Sequence, residues 1–245
     1  MRRLKLLPFI LLLLFAFISC KVESDDLILG DAQANYKLYE PYIDEYGNKG
    51  VIACITRYVE SGELAEVIVL SADETEERWG PMDELVYQAE IEDNKIFKSQ
   101  TYGLGVLQSM KAMGINRFPA QKWCDAKNED EEYPKTDSWR LPTYYELRNI
   151  FNKGENVQYL NTALQRIGGT TIDMDNVYWT CVEDFEGYIQ ITNNGVAVAT
   201  DYDKENRAVI TTPYNSTYSN KDKWLKKNKF YVRAIKYIHL NDVYQ

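Results

Sequence analysis

The chain has a single histidine, His239, close to its C-terminal end. A Ser–His or Cys–His nucleophile system, or a histidine-rich zinc site, would have to be built on that one side chain, and a terminal-strand histidine is ordinarily a surface or packing residue. Cysteine is also scarce. Cys20, Cys54, Cys124 and Cys181 form no Cys-x-x-Cys pair and no Cys/His cluster, which removes the usual sequence signatures of structural zinc and of dithiol redox chemistry. Beyond residue 20 no apolar run is long enough to span a bilayer. Basic residues are the minority, 28 against 37 acidic ones, for a formal charge of −9. That balance argues against nonspecific nucleic-acid binding, which needs a basic surface, and against electrostatic docking on anionic lipid. Gly103-Leu104-Gly105 lacks the third glycine of a dinucleotide fingerprint and the strand–turn–helix frame around it. Acidic pairs for glycoside hydrolysis are defined by spatial approach, and among so many acids no pair stands out. No catalytic constellation is legible.

What is present begins at the N-terminus. Arg2, Arg3 and Lys5 precede an apolar run from Leu6 to Ile18, broken only by Pro8. This is the layout of a secretory signal and is short for a membrane span. The run ends in Ser19-Cys20, which resembles the lipobox of bacterial lipoproteins; an ordinary signal peptide or a short anchor helix is the alternative. The resemblance implies removal of residues 1–19, diacylglycerol on Cys20 and acylation of the new amine, and each buried methylene then contributes roughly 0.8 kcal/mol of membrane affinity. Lys21-Val22-Glu23-Ser24-Asp25-Asp26 is polar and opens a tether, residues 20–38, with little periodicity. Acids directly behind a lipidated cysteine resemble the export signal of surface lipoproteins, so the expected location is the outer membrane, lipid-anchored, at the cell surface. Loss of the leader removes three basic residues and takes the net charge from −9 to −12.

Residues 39–245 are expected to form a single α+β domain. Val51–Thr56 and Val67–Leu70 are short β-branched runs of strand length, separated from Tyr39–Asp44 by the turn cluster Glu45–Gly50. Ser71–Gly80 reads as an acidic loop ending at Trp79. Leu107 and Met110 mark a helix stopped near Gly114, and Pro119 opens another that carries Trp123 and Cys124. Thr143 and Glu146 have the spacing of a capping box, ahead of Leu147, Ile150 and Phe151 at helical intervals. Val157, Leu160, Leu164 and Ile167 repeat that spacing and run into Gly168-Gly169. Tyr188–Thr192 and Val196–Thr200 flank Asn193-Asn194-Gly195 as a hairpin. Phe230–Tyr237 closes the chain as one strand with alternating apolar and polar positions. Nineteen tyrosines and five tryptophans supply rigid amphipathic rings for contact surfaces, although strand placement accounts for most of them equally well.

Several motifs occur in order: Tyr46-Gly47-Asn48-Lys49-Gly50, Val67–Ser71 with Trp79-Gly80, Phe118–Cys124, Trp139-Arg140-Leu141-Pro142 with Glu146-Leu147, Tyr178-Trp179-Thr180, and Tyr231–Ile235. Together they resemble the bacterial domain family that includes the C-terminal domain of a collagen-like adhesin, related in fold to C-type lectin-like and formylglycine-generating-enzyme-like domains. The resemblance covers about residues 40–238. It implies a C-type lectin-like fold, with two main helices packed on twisted antiparallel sheet and long loops carrying function. It implies structural roles for Trp123, Trp139, Leu141, Pro142, Thr143, Glu146, Trp179 and Arg233. Many members carry a cysteine in the final strand that could staple to the Trp-Cys helix; here Ala234 stands in that strand, and Cys181 occupies a position usually held by Ser. Which disulfide forms among Cys54, Cys124 and Cys181, if any, stays open, with Cys124–Cys181 one pairing. The calcium-lectin sugar motif and the paired cysteines of the formylglycine-generating enzymes are absent.

Function is therefore expected to be non-enzymatic: a binding or adhesion module for glycan, matrix or protein ligands, with an enzyme or envelope-assembly subunit on the same scaffold as the alternative. Ligand contact is expected in irregular loops, at Tyr214, Tyr218 and Trp224 as aromatic anchors with Asp184 and Glu186 beside them. Asp173, Asp175 and Asn176, with Glu183, Asp184 and Glu186, could supply oxygens to calcium; otherwise no cofactor is expected, and no nucleic-acid partner. The anchoring reading is tested at its own residue. Cys20→Ala is expected to move the protein from the detergent phase to a soluble or uncleaved form, and fatty-acid labelling equal to wild type would overturn it.

Overall fold

Val51, Ile52 and Ala53 are all buried, as are Val67 to Leu70, and such unbroken apolar runs need cover on both sheet faces. In the computed structural model they lie on β2 (Lys49–Arg57) and β3 (Ala65–Ser71), the central strands of a four-stranded antiparallel sheet completed by β1 (Pro41–Ile43) and β11 (Ile235–His239) in the order β1-β2-β3-β11. The structure describes residues 36–57, 65–82, 86, 100–129, 135, 137–183, 188–191, 197–200, 207–214 and 223–239, within one compact unit, Ala34–Gln245. The leader, Cys20 and the tether to residue 35 fall outside the described residues, as do Asp184, Glu186, Tyr218 and the turn Asn193–Gly195. A second sheet has the order β4-β10-β5-β8-β9: β4 (Thr75–Arg78), β5 (Tyr178–Glu183), β8 (Arg207–Thr211), β9 (Lys223–Leu225) and β10 (Lys229–Val232). Its pairs are antiparallel except β10 on β5. A separate hairpin joins β6 (Tyr188–Ile191) to β7 (Ala197–Thr200).

Among the described residues four α-helices accompany the sheets: α1 (Gln100–Met113), α2 (Pro119–Asp125), α3 (Tyr144–Phe151) and α4 (Val157–Arg166). Pro119 sits in the first turn of α2, where its missing N–H costs nothing. Leu147, Ile150 and Phe151 of α3 join Val157, Leu160, Ala163 and Leu164 of α4 against Val51, Ile68 and Leu70, forming one core. A second core gathers Val106 and Met110 of α1 with Trp79, Trp139, Trp179 and Val232. Helix α4 ends at Arg166 with Ile167 as its cap, and Gly168 follows with a φ of 71°, the left-handed geometry a glycine takes readily; the Gly169 N–H returns to the Leu164 carbonyl at 2.8 Å.

The two cores meet at Trp139–Thr143, an irregular segment threaded through the interior. Buried backbone away from regular structure must find partners, and here each group does. Asn128 accepts from the Trp139 N–H at 2.7 Å and donates to its carbonyl at 2.9 Å. Arg140 exchanges both backbone bonds with Ile235, at 3.0 and 2.9 Å. Gln121 Oε1 accepts from Leu141, and the Cys181 N–H donates to the Pro142 carbonyl at 2.7 Å. Thr143 caps α3 in a capping box: the Glu146 N–H reaches its hydroxyl at 3.3 Å while Glu146 Oε2 accepts from the Thr143 N–H at 2.6 Å. The same Glu146 carboxylate takes a two-pronged contact from the Arg140 guanidinium, at 2.9 and 2.6 Å, and a 2.7 Å bond from the Tyr237 hydroxyl. The guanidinium fits because residue 103 is glycine; a Cβ there would lie 2.5 Å from the Arg140 Cζ.

Several expectations need correction. The chain end is not one strand: it breaks after Val232 and supplies β10 to one sheet and β11 to the other. Val232 through Tyr237 are all buried, without alternation. The break is fixed by Arg233, whose guanidinium enters the interior to reach Glu74 at 2.5 Å and the carbonyls of Ser71 and Thr170. The acidic loop at residues 71–80 contains strand β4; its Thr-Glu-Glu-Arg sequence carries no apolar alternation, and pairing with β10 makes it a strand. Two main helices become four among the described residues, and α1, with 14 residues, is the longest of these. Sheet material is divided between two main sheets and a hairpin, and is not wholly antiparallel.

Burial alone would push the Glu146 carboxyl up, but Arg140, the Thr143 N–H and the Tyr237 hydroxyl hold it below the ordinary glutamate range. A carboxylate depressed in the folded state contributes stability above its unfolded pKa, lost as pH falls through the folded value. Wild type is therefore expected to lose melting temperature on acidification. Arg140→Ala should cost about 3–5 kcal/mol in urea titration, the usual penalty for stripping one partner from a buried pair. It should also reverse the acid dependence contributed by Glu146, because burial without Arg140 favours the protonated acid. A variant with wild-type stability and an unchanged pH profile would refute this account.

Candidate functional site

The motif residues are interior. Trp139 is 1% exposed and its indole N–H donates to Asp44 Oδ2 at 2.9 Å. Asp44 also accepts from Asn48 and Tyr46 in the turn before β2; although burial raises its pKa, these bonds hold it low. Trp179 is buried, with its N–H on the Glu77 carbonyl at 2.9 Å. Leu141, Pro142, Thr143, Glu146 and Arg233 are buried as well, and Trp123 is half-buried beneath the Lys127 ammonium, 4.4 Å from the ring centroid. These side chains position surfaces and do not themselves form one.

Trp224 is different. It lies on edge strand β9 opposite Ala208 and is 44% exposed. Its ring meets Phe230 edge-on at 5.4 Å between centroids, and Phe230 meets the buried Trp179 at 4.9 Å. A ladder of three rings thus runs from the core to solvent. The backbone on either side is fixed too. Arg207 Nη1 donates to the Lys223 carbonyl at 3.2 Å, and the Trp79 N–H donates to the Lys226 carbonyl at 3.0 Å. Lys226 is fully buried, with its ammonium 2.5 Å from Glu183 Oε1 and 4.8 Å from the Trp79 ring centroid. The exposed indole is therefore held by the rings and backbone around it while close to half of the residue reaches solvent. Sequence pattern singled out Trp224 only as one ring in a polar loop; the ladder beneath it runs through Phe230, six positions on, to Trp179, 45 positions from Trp224, a contact with no local signature. Tyr214 is 61% exposed, past the end of β8 remote from Ala208, so the structure does not bring it to Trp224.

The acidic residues fare differently. Asp173 closes a tight turn, accepting from the Asp175 N–H on its own carboxylate at 2.9 Å and from the Asn176 N–H on its carbonyl at 3.2 Å. Glu183 is not available to a cation: its oxygens are occupied by Lys226 and by the Val86 N–H at 2.8 Å. Among the described residues no three His, Cys, Asp or Glu side chains converge as metal ligands. Cys54, Cys124 and Cys181 are free thiols. Burial pushes Cys124 and Cys181 well above the ordinary thiol range, which keeps them protonated and poorly nucleophilic.

A cleft of about 310 Å³ opens where the turn before β2, the start of the β3–β4 link, the residues after α2 and the residues after α4 meet, with Asn48, Lys49, Asp73, Lys127, Gly169 and Thr170 on its walls. Its charged groups already have partners: Lys127 binds both Asp73 oxygens at 2.7 and 2.8 Å, and Lys49 reaches the Ile167 carbonyl at 3.4 Å. Its lining charges are thus spent on one another and on backbone, and sequence reasoning missed the cleft because four separate segments contribute. Trp224 is the stronger candidate. Comparisons with protein-family models, with curated proteins and with solved structures each return no match.

The ladder makes a graded prediction. Trp179→Ala should destabilise by about 3–5 kcal/mol. Trp224→Ala should cost only the ring pair, roughly 0.5–1.5 kcal/mol. Equal losses in urea denaturation would show that Trp224 is a core residue and not a presented one.

Proposed function

We propose that the protein is a cell-envelope lipoprotein, anchored through Cys20 in the outer membrane and facing outward, whose folded body is a C-type lectin-like binding module for a glycan, matrix or protein ligand. The observation that carries the binding reading is Trp224, an indole 44% exposed yet held by Phe230 and Trp179. A rigid, half-exposed ring loses little conformational entropy on contact, which is why aromatic side chains dominate recognition surfaces. The lectin-like reading is supported by the α+β architecture and by the placement of the Trp-Arg-Leu-Pro segment between the two cores. The anchoring reading is supported by the basic, apolar and Ser19-Cys20 order at the N-terminus. Tyr214, also exposed, offers a second contact on a separate face. Calcium, if bound, would draw on Asp173, Asp175 and Asn176 and not on Glu183.

The test is display of the detergent-extracted full chain on glycan and matrix-protein arrays. Wild type is expected to retain a defined set of ligands, and Trp224→Ala to lose them with its melting curve nearly unchanged. Retention of every ligand by Trp224→Ala would remove Trp224 from the contact surface.

A further inference from the structure

Both lysines that line the cleft of about 310 Å³ have a partner, but the two partners are unlike. Lys127 is neutralised: its ammonium meets both Asp73 oxygens and stands over the Trp123 ring. Lys49 meets only the Ile167 carbonyl, at 3.4 Å, long beside the usual length of about 2.9–3.0 Å. A carbonyl occupies one of the three ammonium donors and cancels no charge. Lys49 is exposed, and among the described residues no carboxylate forms an ion pair with it. The charged lining is therefore two lysines and one aspartate, in a chain whose own balance is −9. One positive charge of the cleft is uncompensated.

The rest of the lining is polar. Asn48 donates both Nδ2 hydrogens, to Asp44 and to the Lys127 carbonyl, each at 2.9 Å, so what it can offer a ligand is the acceptor Oδ1. Thr170 is exposed; its N–H donates to Ala72 and its carbonyl accepts from Arg233, while its hydroxyl makes no hydrogen bond among the described residues. The Asp73 side chain, 58% exposed, keeps lone pairs beyond those that meet Lys127. Apolar side chains enter only through Ala72 and Ile167. Gly47 and Gly168 hold φ of 86° and 71°, and a Cβ at either would meet nothing within 4 Å, so neither wall is crowded there.

We propose that this cleft binds a small hydroxylated carboxylate of the sugar-acid class. The ligand carboxylate takes Lys49 over from the Ile167 carbonyl; the ligand hydroxyls donate to Asn48 Oδ1 and to Asp73 and accept from Thr170. The volume lies at the small end of the range for ligand sites, about 300–1,000 Å³, which suits one sugar unit and not a polymer. Phosphate is disfavoured. Phosphate sites draw on converging backbone N–H groups, and here those of Gly168, Gly169 and Thr170 already donate to the carbonyls of Gln165, Leu164 and Ala72. An aliphatic acid would leave the polar walls unmatched. Trp224 does not line the cleft, so this is a second site and does not rest on the reading of Trp224 as a contact residue.

The experiment is equilibrium dialysis of the detergent-extracted full chain against labelled glucuronate, galacturonate and gluconate, with glucose, acetate and inorganic phosphate as competitors. Wild type should bind at least one of the sugar acids saturably, and more weakly at high salt. Glucose and acetate each carry only part of the matching groups and should compete about tenfold less well than the sugar acid. Lys49→Gln should lose about tenfold in affinity, the worth of a hydrogen bond to a charged group, and Lys49→Arg should keep most of it. Both variants should melt as wild type does, since the side chain is exposed. Trp224→Ala should bind the sugar acid normally. No saturable binding of any of the three acids, equal binding by Lys49→Gln, or phosphate competing better than the sugar acid would overturn the proposal. Loss of binding in Trp224→Ala at an unchanged melting temperature would overturn the assignment to the cleft.

Discussion

The Arg140–Glu146 pair is the contact on which the interior depends. Glu146 accepts four bonds: two from Arg140, one from the Thr143 N–H and one from the Tyr237 hydroxyl, 91 residues away. Arg140 in turn pairs its backbone with Ile235 of β11. One carboxylate therefore caps a helix, neutralises a buried cation and holds the last strand of the first sheet. A buried ion pair adds little over well-packed apolar side chains, but leaving one charge unmatched is costly. Any packing that moves α3 relative to β11 separates these charges, so the pair selects one arrangement of helix and sheet.

The same device recurs twice. Arg233 and Glu74, 159 residues apart, close the break between β10 and β11, with the Tyr178 hydroxyl as a further donor to Glu74 at 3.1 Å. Lys226 and Glu183 fix the turn between β9 and β10. All three pairs are below a tenth exposed. They lie where the chain passes between sheets or between a sheet and irregular backbone, places where strand ladders cannot satisfy polar groups. Rigidity at these crossings reaches the surface: the turn held by Lys226 is the one that leads from Trp224 to Lys227 and Lys229.

This division of labour explains why the strongest sequence motif is not the site. Trp139-Arg140-Leu141-Pro142 is interior and spends its polar groups, apart from the buried Arg140 Nε, on internal partners. The surface proposed for recognition sits on an edge strand, where three rings hold one exposed indole and an internal ion pair fixes the turn that follows. A cleft is present elsewhere, but its lysines are already bound to Asp73 and to the Ile167 carbonyl.

Local rules were enough for the elements whose ends and faces are encoded nearby. The Thr143–Glu146 spacing marked the start of α3, the apolar repeat from Val157 to Leu164 marked α4, Pro119 opened α2, and the β-branched runs marked β2 and β3, because capping and periodicity act over a few residues. The α+β class follows from these elements together. The sequence did not disclose that Phe230–Tyr237 divides between two sheets, that Thr75–Arg78 is a strand, or that Glu183 belongs to Lys226 and not to a cation. Each of these is decided by partners tens of residues or more away, which compete for the same backbone and the same carboxylates. Trp224 was visible as an aromatic residue in a polar loop; that its ring is held on Phe230 and Trp179 only the tertiary structure decided, since strand pairing between distant segments sets which side chains become neighbours.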